Sequence, residues 1–219
     1  MKIPEGTLLP IPTAELILTY GKRFDDDNKV AGRALTELIK QFPQNADEAQ
    51  ILLKVAAINQ LYSARVFAVH IVAKHIADLN IDAHLDADDA GRVQLVEEIA
   101  RVHVAGGKPI RYLSFASKYC FCHGPELYAI YDRNARECLG AYQRDRRFRL
   151  ARKDLWEYSS YFEAVKELRE YFKLTPLTFE QIDKFLYLEG ADLIEAREQA
   201  KGAAAQARAA QSPTASVAS

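Results

Sequence analysis

Wherever apolar residues are dense in this chain they recur every three to four positions, and that period commits it to helices. Ile51, Leu52, Val55 and Ile58 share one helical face, and Val66, Val69, Val72 and Ile76 share another. Val93, Leu95, Val96 and Ile99 form a third. No stretch shows sustained alternation of period two, so the expected class is all-α.

Helix signals divide the chain further. Thr13 to Tyr20 and Asp27 to Phe42 read as two helices. Asn45 and Glu48 form an approximate capping pair for a helix reaching about Leu61, and Ser63 is placed to cap the next, which ends near Asn80. Another follows the acidic loop Asp86 to Asp89 and is closed by Gly106-Gly107. A short helix at Tyr112 to Phe121 is broken by Gly124-Pro125, and a long one is expected from Asp132 to about Leu150. Asp154 opens a helix to about Phe172, and Thr178 with Gln181 forms a capping box for one reaching about Ala200.

The 219 residues, 49% hydrophobic and 27% charged, suffice for one sizeable core. The expected globular domain is 1–195; residues 196–219, rich in Ala, Gln and Ser, lack the large apolar groups needed to order themselves. No segment approaches the ~20 apolar residues of a membrane span, and Met1 to Pro12 does not read as an export signal. Cys120, Cys122 and Cys138 are too few for a disulfide framework. A cytoplasmic protein without membrane partner, metal or cofactor is the expectation; Cys120, Cys122, His123, His103 and Cys138 lack zinc-site spacing.

Chemistry is densest between Tyr112 and Asp132. Lys118 stands in an apolar run, where burial favours the neutral amine and so a nucleophile, while Asp132 begins a helix whose amides stabilise a carboxylate. The alternative is that Lys118 reaches solvent and Asp132 is only a cap.

Ile130-Tyr131-Asp132-Arg133-Asn134-Ala135-Arg136, preceded by Lys118 and by a helical pair meeting at Asn59-Gln60-Leu61-Tyr62, resembles the core of the helix-hairpin-helix DNA glycosylase superfamily. The resemblance covers roughly residues 52–142. It implies a two-lobed helical fold with the active cleft between lobes, here 1–47 with 154–195 against 48–153. It also implies that Asp132 assists cleavage of an N-glycosidic bond, that Lys118 attacks the sugar C1′ or lines the pocket, and that Asn59, Gln60, Tyr62, Tyr119 and His123 wall the base pocket or fill the duplex. The superfamily's glycine hairpin has no counterpart in Arg111 to Ser117, and its iron–sulfur cysteines are absent.

A formal net charge of −1 gives no global pull toward nucleic acid. Arg144, Arg146, Arg147, Arg149, Arg152 and Lys153, against the single acid Asp145, are the densest basic run and, with Arg136, the expected phosphate contacts. The expected function is excision of a damaged or modified base, phage-type bases included, from double-stranded DNA by a monomer. A non-catalytic helical DNA-binding protein using residues 144–153 is the alternative, and a helical scaffold for a protein partner a third.

Overall fold

Thr13 turns the chain into its first helix, its Oγ1 accepting a hydrogen bond from the Leu16 amide. The computed structural model describes residues 8–103 and 108–210, with side chains to 206. Among these residues eight α-helices carry the fold: α1 (Ala14–Gln41), α2 (Glu48–Leu61), α3 (Val69–Leu79), α4 (Asp89–Ala100), α5 (Leu113–His123), α6 (Arg133–Arg144), α7 (Tyr158–Tyr171) and α8 (Phe179–Ala210). A 3-10 turn, Ile81–Ala83, lies between α3 and α4. Two short antiparallel strands, β1 (Arg101–Val102) and β2 (Ile110–Arg111), pair Arg101 with Arg111 and Val102 with Ile110. The all-α expectation holds. No helix among the described residues is long and apolar enough to cross a membrane.

Several expected boundaries move, each for a local reason. The two front helices are one, because nothing between Gly21 and Asn28 breaks a helix and α8 packs along it. Asp47, not Asn45, caps α2 by accepting from Gln50 N at 2.9 Å. Ser63 caps nothing: it and Arg65 have positive φ, and the Asn59 amide clamps both N and O of Val66, so residues 62–68 form a loop before α3. Helix α6 stops at Arg144, because Asp145 accepts the Arg147 amide and pairs with its guanidinium, turning the chain. Asp154 caps only a turn, at Trp156 N, and α7 starts at Tyr158. The Thr178/Gln181 box forms as expected, and α8 continues past Ala200 to Ala210. Helix α4 ends at Ala100, whereas Gly106-Gly107 lies outside the described residues. Between α4 and α5, where the resemblance implies a glycine hairpin, the chain has β1 and β2 instead.

Buried side chains from Leu9 to Leu186 join in one apolar cluster. Helix α6 packs most extensively against α8. Tyr158 and Tyr161 of α7 donate hydrogen bonds to the carbonyls of Ala129 and Ile130, at 2.9 and 2.7 Å, and Ser117 Oγ accepts from Tyr131 N at 2.9 Å. These bonds fix the extended segment between α5 and α6 at both faces, with the buried tyrosine hydroxyls satisfying backbone groups that no helix or sheet serves. That segment delivers Asp132.

Candidate functional site

Lys118 lies in the middle of α5, buried, and reaches across the Gly124-Pro125 break to the start of α6. Its Nζ is 3.1 Å from Asp132 Oδ2 and 3.4 Å from the Tyr62 carbonyl oxygen, with the Tyr62 ring centroid 5.6 Å away. The ammonium is therefore not isolated in apolar surroundings, as the sequence had suggested: it meets a carboxylate, a carbonyl and an aromatic face. Asp132 does two things at once. Its Oδ1 accepts from Asn134 N at 2.8 Å, capping α6, while Oδ2 holds Lys118. A cap is rigid, so the carboxylate is aimed by the helix start itself.

Both side chains line a cavity of about 490 Å³ bounded by α1, the 62–65 loop, α5, the start of α6 and α8. That volume lies within the range of about 300–1,000 Å³ usual for small-molecule pockets. Tyr62, Arg65, Arg133, Asn134, Asp183 and Tyr187 contribute to its wall. Asp183 was not singled out from the sequence. Burial, with the negative charge of Asp132 beside it, pushes its carboxyl well above the usual carboxylate range. The Asp183 carboxyl, which holds its proton more tightly than an ordinary carboxylate, thus shares the cavity wall with Asp132. Its one sequence signal is weak: an acid amid Phe179, Ile182, Phe185 and Leu186, on the buried side of α8.

The remaining expected site residues divide sharply. Tyr62 lines the cavity, and burial raises its phenol well above the ordinary range. Asn59 is spent on Val66, and Gln60 points to solvent. Tyr119 is fully buried, donating to Asn45 Oδ1 at 2.6 Å, and His123 packs 5.3 Å from its ring. Burial, then the charge of Lys54, pulls His123 down to about 4. Neither Tyr119 nor His123 lines the cavity, because both lie on the side of α5 turned into the core; this corrects their assignment as pocket walls.

Arg136 lines the cavity and is sandwiched: its guanidinium is 3.6 Å from the Trp156 ring centroid and donates to Tyr131 Oη at 3.0 Å. The basic run lies elsewhere. Arg147 pairs with Asp145 and donates to the Leu9 carbonyl, Lys153 approaches Glu167 at 3.9 Å, and the Arg144 guanidinium folds over Gly140. Arg146, Arg149 and Arg152 are exposed. None of the run lines the cavity; the cations that do are Lys118, Arg65, Arg133 and Arg136.

All three cysteines are free thiols, and among the described residues no cluster of three or more His, Cys, Asp or Glu is placed to hold a metal ion. A buried lysine that the sequence reading passed over, Lys54, donates to the carbonyls of Phe42 and Gln44 at 3.2 and 2.9 Å, closing the end of α1.

A relative from Haemophilus influenzae (strain ATCC 51907 / DSM 11121 / KW20 / Rd), described as an uncharacterized protein, is 32% identical over 137 residues. The match spans 62% of this chain and 63% of the relative's own length. No solved structure matches the chain. The model of the HI_0787_N family, described as an N-terminal domain, matches residues 16–127, a stretch that holds Tyr62 and Lys118 but stops short of Asp132 and Asp183. That match takes in more than half of the chain, and the protein belongs to the HI_0787_N family.

Proposed function

We propose that the protein is a DNA glycosylase that draws a damaged or modified base into the cavity beside Lys118 and Asp132 and cuts its N-glycosidic bond. The observation that carries the reading is the Lys118–Asp132 pair, 3.1 Å apart in the wall of a cavity of about 490 Å³, with Arg65, Arg133 and Arg136 also lining it. When the bond between C1′ and the base breaks, its electron pair leaves with the base and positive charge grows on the sugar. A fixed carboxylate next to C1′ lowers that barrier, and Asp132 is fixed by its own cap. In the hydrolytic route water supplies hydroxide to C1′ and a proton to the departing base. In the covalent route the Lys118 nitrogen bonds to C1′ as the bond to the base breaks, and the proton it gives up passes to the departing base. The arginines along the cavity suit the phosphates flanking an extruded nucleotide.

Incubation with duplexes carrying a panel of altered bases tests this. Abasic product is expected from at least one, and Asp132→Asn should slow its formation about 100-fold or more. No abasic product from any base, or full activity in Asp132→Asn, overturns the proposal. Borohydride trapping of a covalent complex separates the lysine route from the hydrolytic one. The exposed Arg146, Arg149 and Arg152 favour a second reading, a non-catalytic helical DNA-binding protein. Under it, salt-dependent duplex binding survives Asp132→Ala, is lost on removing those three arginines, and generates no abasic sites.

A further inference from the structure

The cavity beside Lys118 does not stand alone. A second cavity, of about 430 Å³, lies between α1, α5 and the start of α8, and the two share Gly32, Leu35, Tyr62, Ile130 and Asp183 among their walls. The first suffices for an extruded nucleoside; the second would be left over. Among its charges Lys184 bridges Asp25 and Glu180 at 2.7 Å each, while the exposed Lys29 and Arg33 sit at its rim. Asp183, in the shared wall, is different: its Oδ1 finds no hydrogen-bond partner among the described residues. Leaving a buried acceptor unmet is unfavourable, and a ligand bringing a donor relieves that cost.

We infer that the substrate base carries a bulky substituent bearing a hydrogen-bond donor, an amine or a hydroxyl, which passes Gly32 into the second cavity and bonds to Asp183. This rests on the glycosylase reading and specifies its substrate class. Base and sugar occupy the chamber with Lys118 and Asp132, and the substituent occupies the other. Gly32 permits the passage because a Cβ added there meets no atom within 4 Å, so the helix face beside the shared wall is open. One turn on, Thr36 lines the second cavity alone.

The test compares base release from duplexes containing uracil, hypoxanthine or 8-oxoguanine with release from duplexes containing glucosylated 5-hydroxymethylcytosine or 7-aminomethyl-7-deazaguanine. Faster release of a bulky base by about tenfold or more is expected, the hydroxyl-bearing and amine-bearing probes telling which donor is taken. Gly32→Leu and Thr36→Phe, both on an open helix face, should lower the bulky-to-small ratio about tenfold. A small base released fastest, with a ratio that neither variant moves, overturns the inference while leaving the glycosylase reading standing. If no base is released the glycosylase reading falls, and calorimetry with the same modified nucleosides decides the cavity claim. Binding that Gly32→Leu weakens about tenfold upholds it, and no binding overturns it.

Discussion

Gly190 of α8 sits so close to the start of α6 that a Cβ built on it would stand 2.0 Å from the Asn134 carbonyl oxygen. Asn134 is also the residue whose amide Asp132 caps. The closest approach of the two helices thus lies beside the residue that the site carboxylate caps. Gly190→Ala must push α6 away, and overpacking of this kind costs about 1–3 kcal/mol or more. A fall in the urea midpoint at unchanged slope is the expected result, accompanied by weaker ligand binding in the cavity. A variant as stable as the parent would show that the helices separate freely.

His123 gives the protein an acid-side weakness. Its folded value, about 4, lies below the ordinary 6.5, so as pH falls from 6.5 toward 4 the unfolded chain takes up a proton that the folded chain refuses. Stability is fully present above 6.5, declines across that window and is flat below it, with a loss on the order of 3 kcal/mol. Its Nε2 is buried and finds no hydrogen-bond partner among the described residues, so His123→Phe keeps the ring contact with Tyr119 and removes the titration. Chemical denaturation at pH 7 and pH 4.5 checks this: the difference should shrink in the variant.

Lys54 works on the alkaline side. Burial pulls it down to about 8 from an ordinary 10.5, so between those values the unfolded chain binds a proton that the folded chain lacks. Its contribution to stability therefore rises with pH from 8 upward and is flat below. Lys54→Met should abolish that rise between pH 8 and 9.5. It should also lower stability at pH 7, because the Phe42 and Gln44 carbonyls at the end of α1 lose their donor. Thermal melts across that range read both effects.

What the sequence made legible follows from how local each signal is. The Thr178/Gln181 box and the Asp132 cap need only residues two or three apart, and both appear where the pattern puts them. Ser63 is a plausible cap by type, but Asn59 reaches seven residues forward to bind Val66 and holds the chain out of helix. Helix α6 ends short of the expected Leu150 for the same kind of reason, since the Asp145–Arg147 pair competes with helix continuation. In the site, Lys118 and Asp132 were visible as chemistry and are brought together. Asp183 was not, because its meaning depends on α8 folding back across α6 after the intervening chain of residues 145–178.

The ion pair itself yields the last prediction. Asp132→Asn keeps an oxygen to cap α6 but leaves the buried Lys118 the Tyr62 carbonyl and ring, with Asp183 as the remaining acid beside it. Breaking a buried pair by removing one member costs about 3–5 kcal/mol, and less here because Asp132 keeps some solvent contact. Lys118→Met removes the cation but leaves Asp132 its cap and its exposure, so the milder loss is expected there. In the double variant both charges are gone, and stability should recover above that of Asp132→Asn alone, by about 1 kcal/mol or more. Equilibrium denaturation of the four proteins gives the coupling directly. A coupling near zero would mean that the pair is held for its chemistry and adds nothing to the fold.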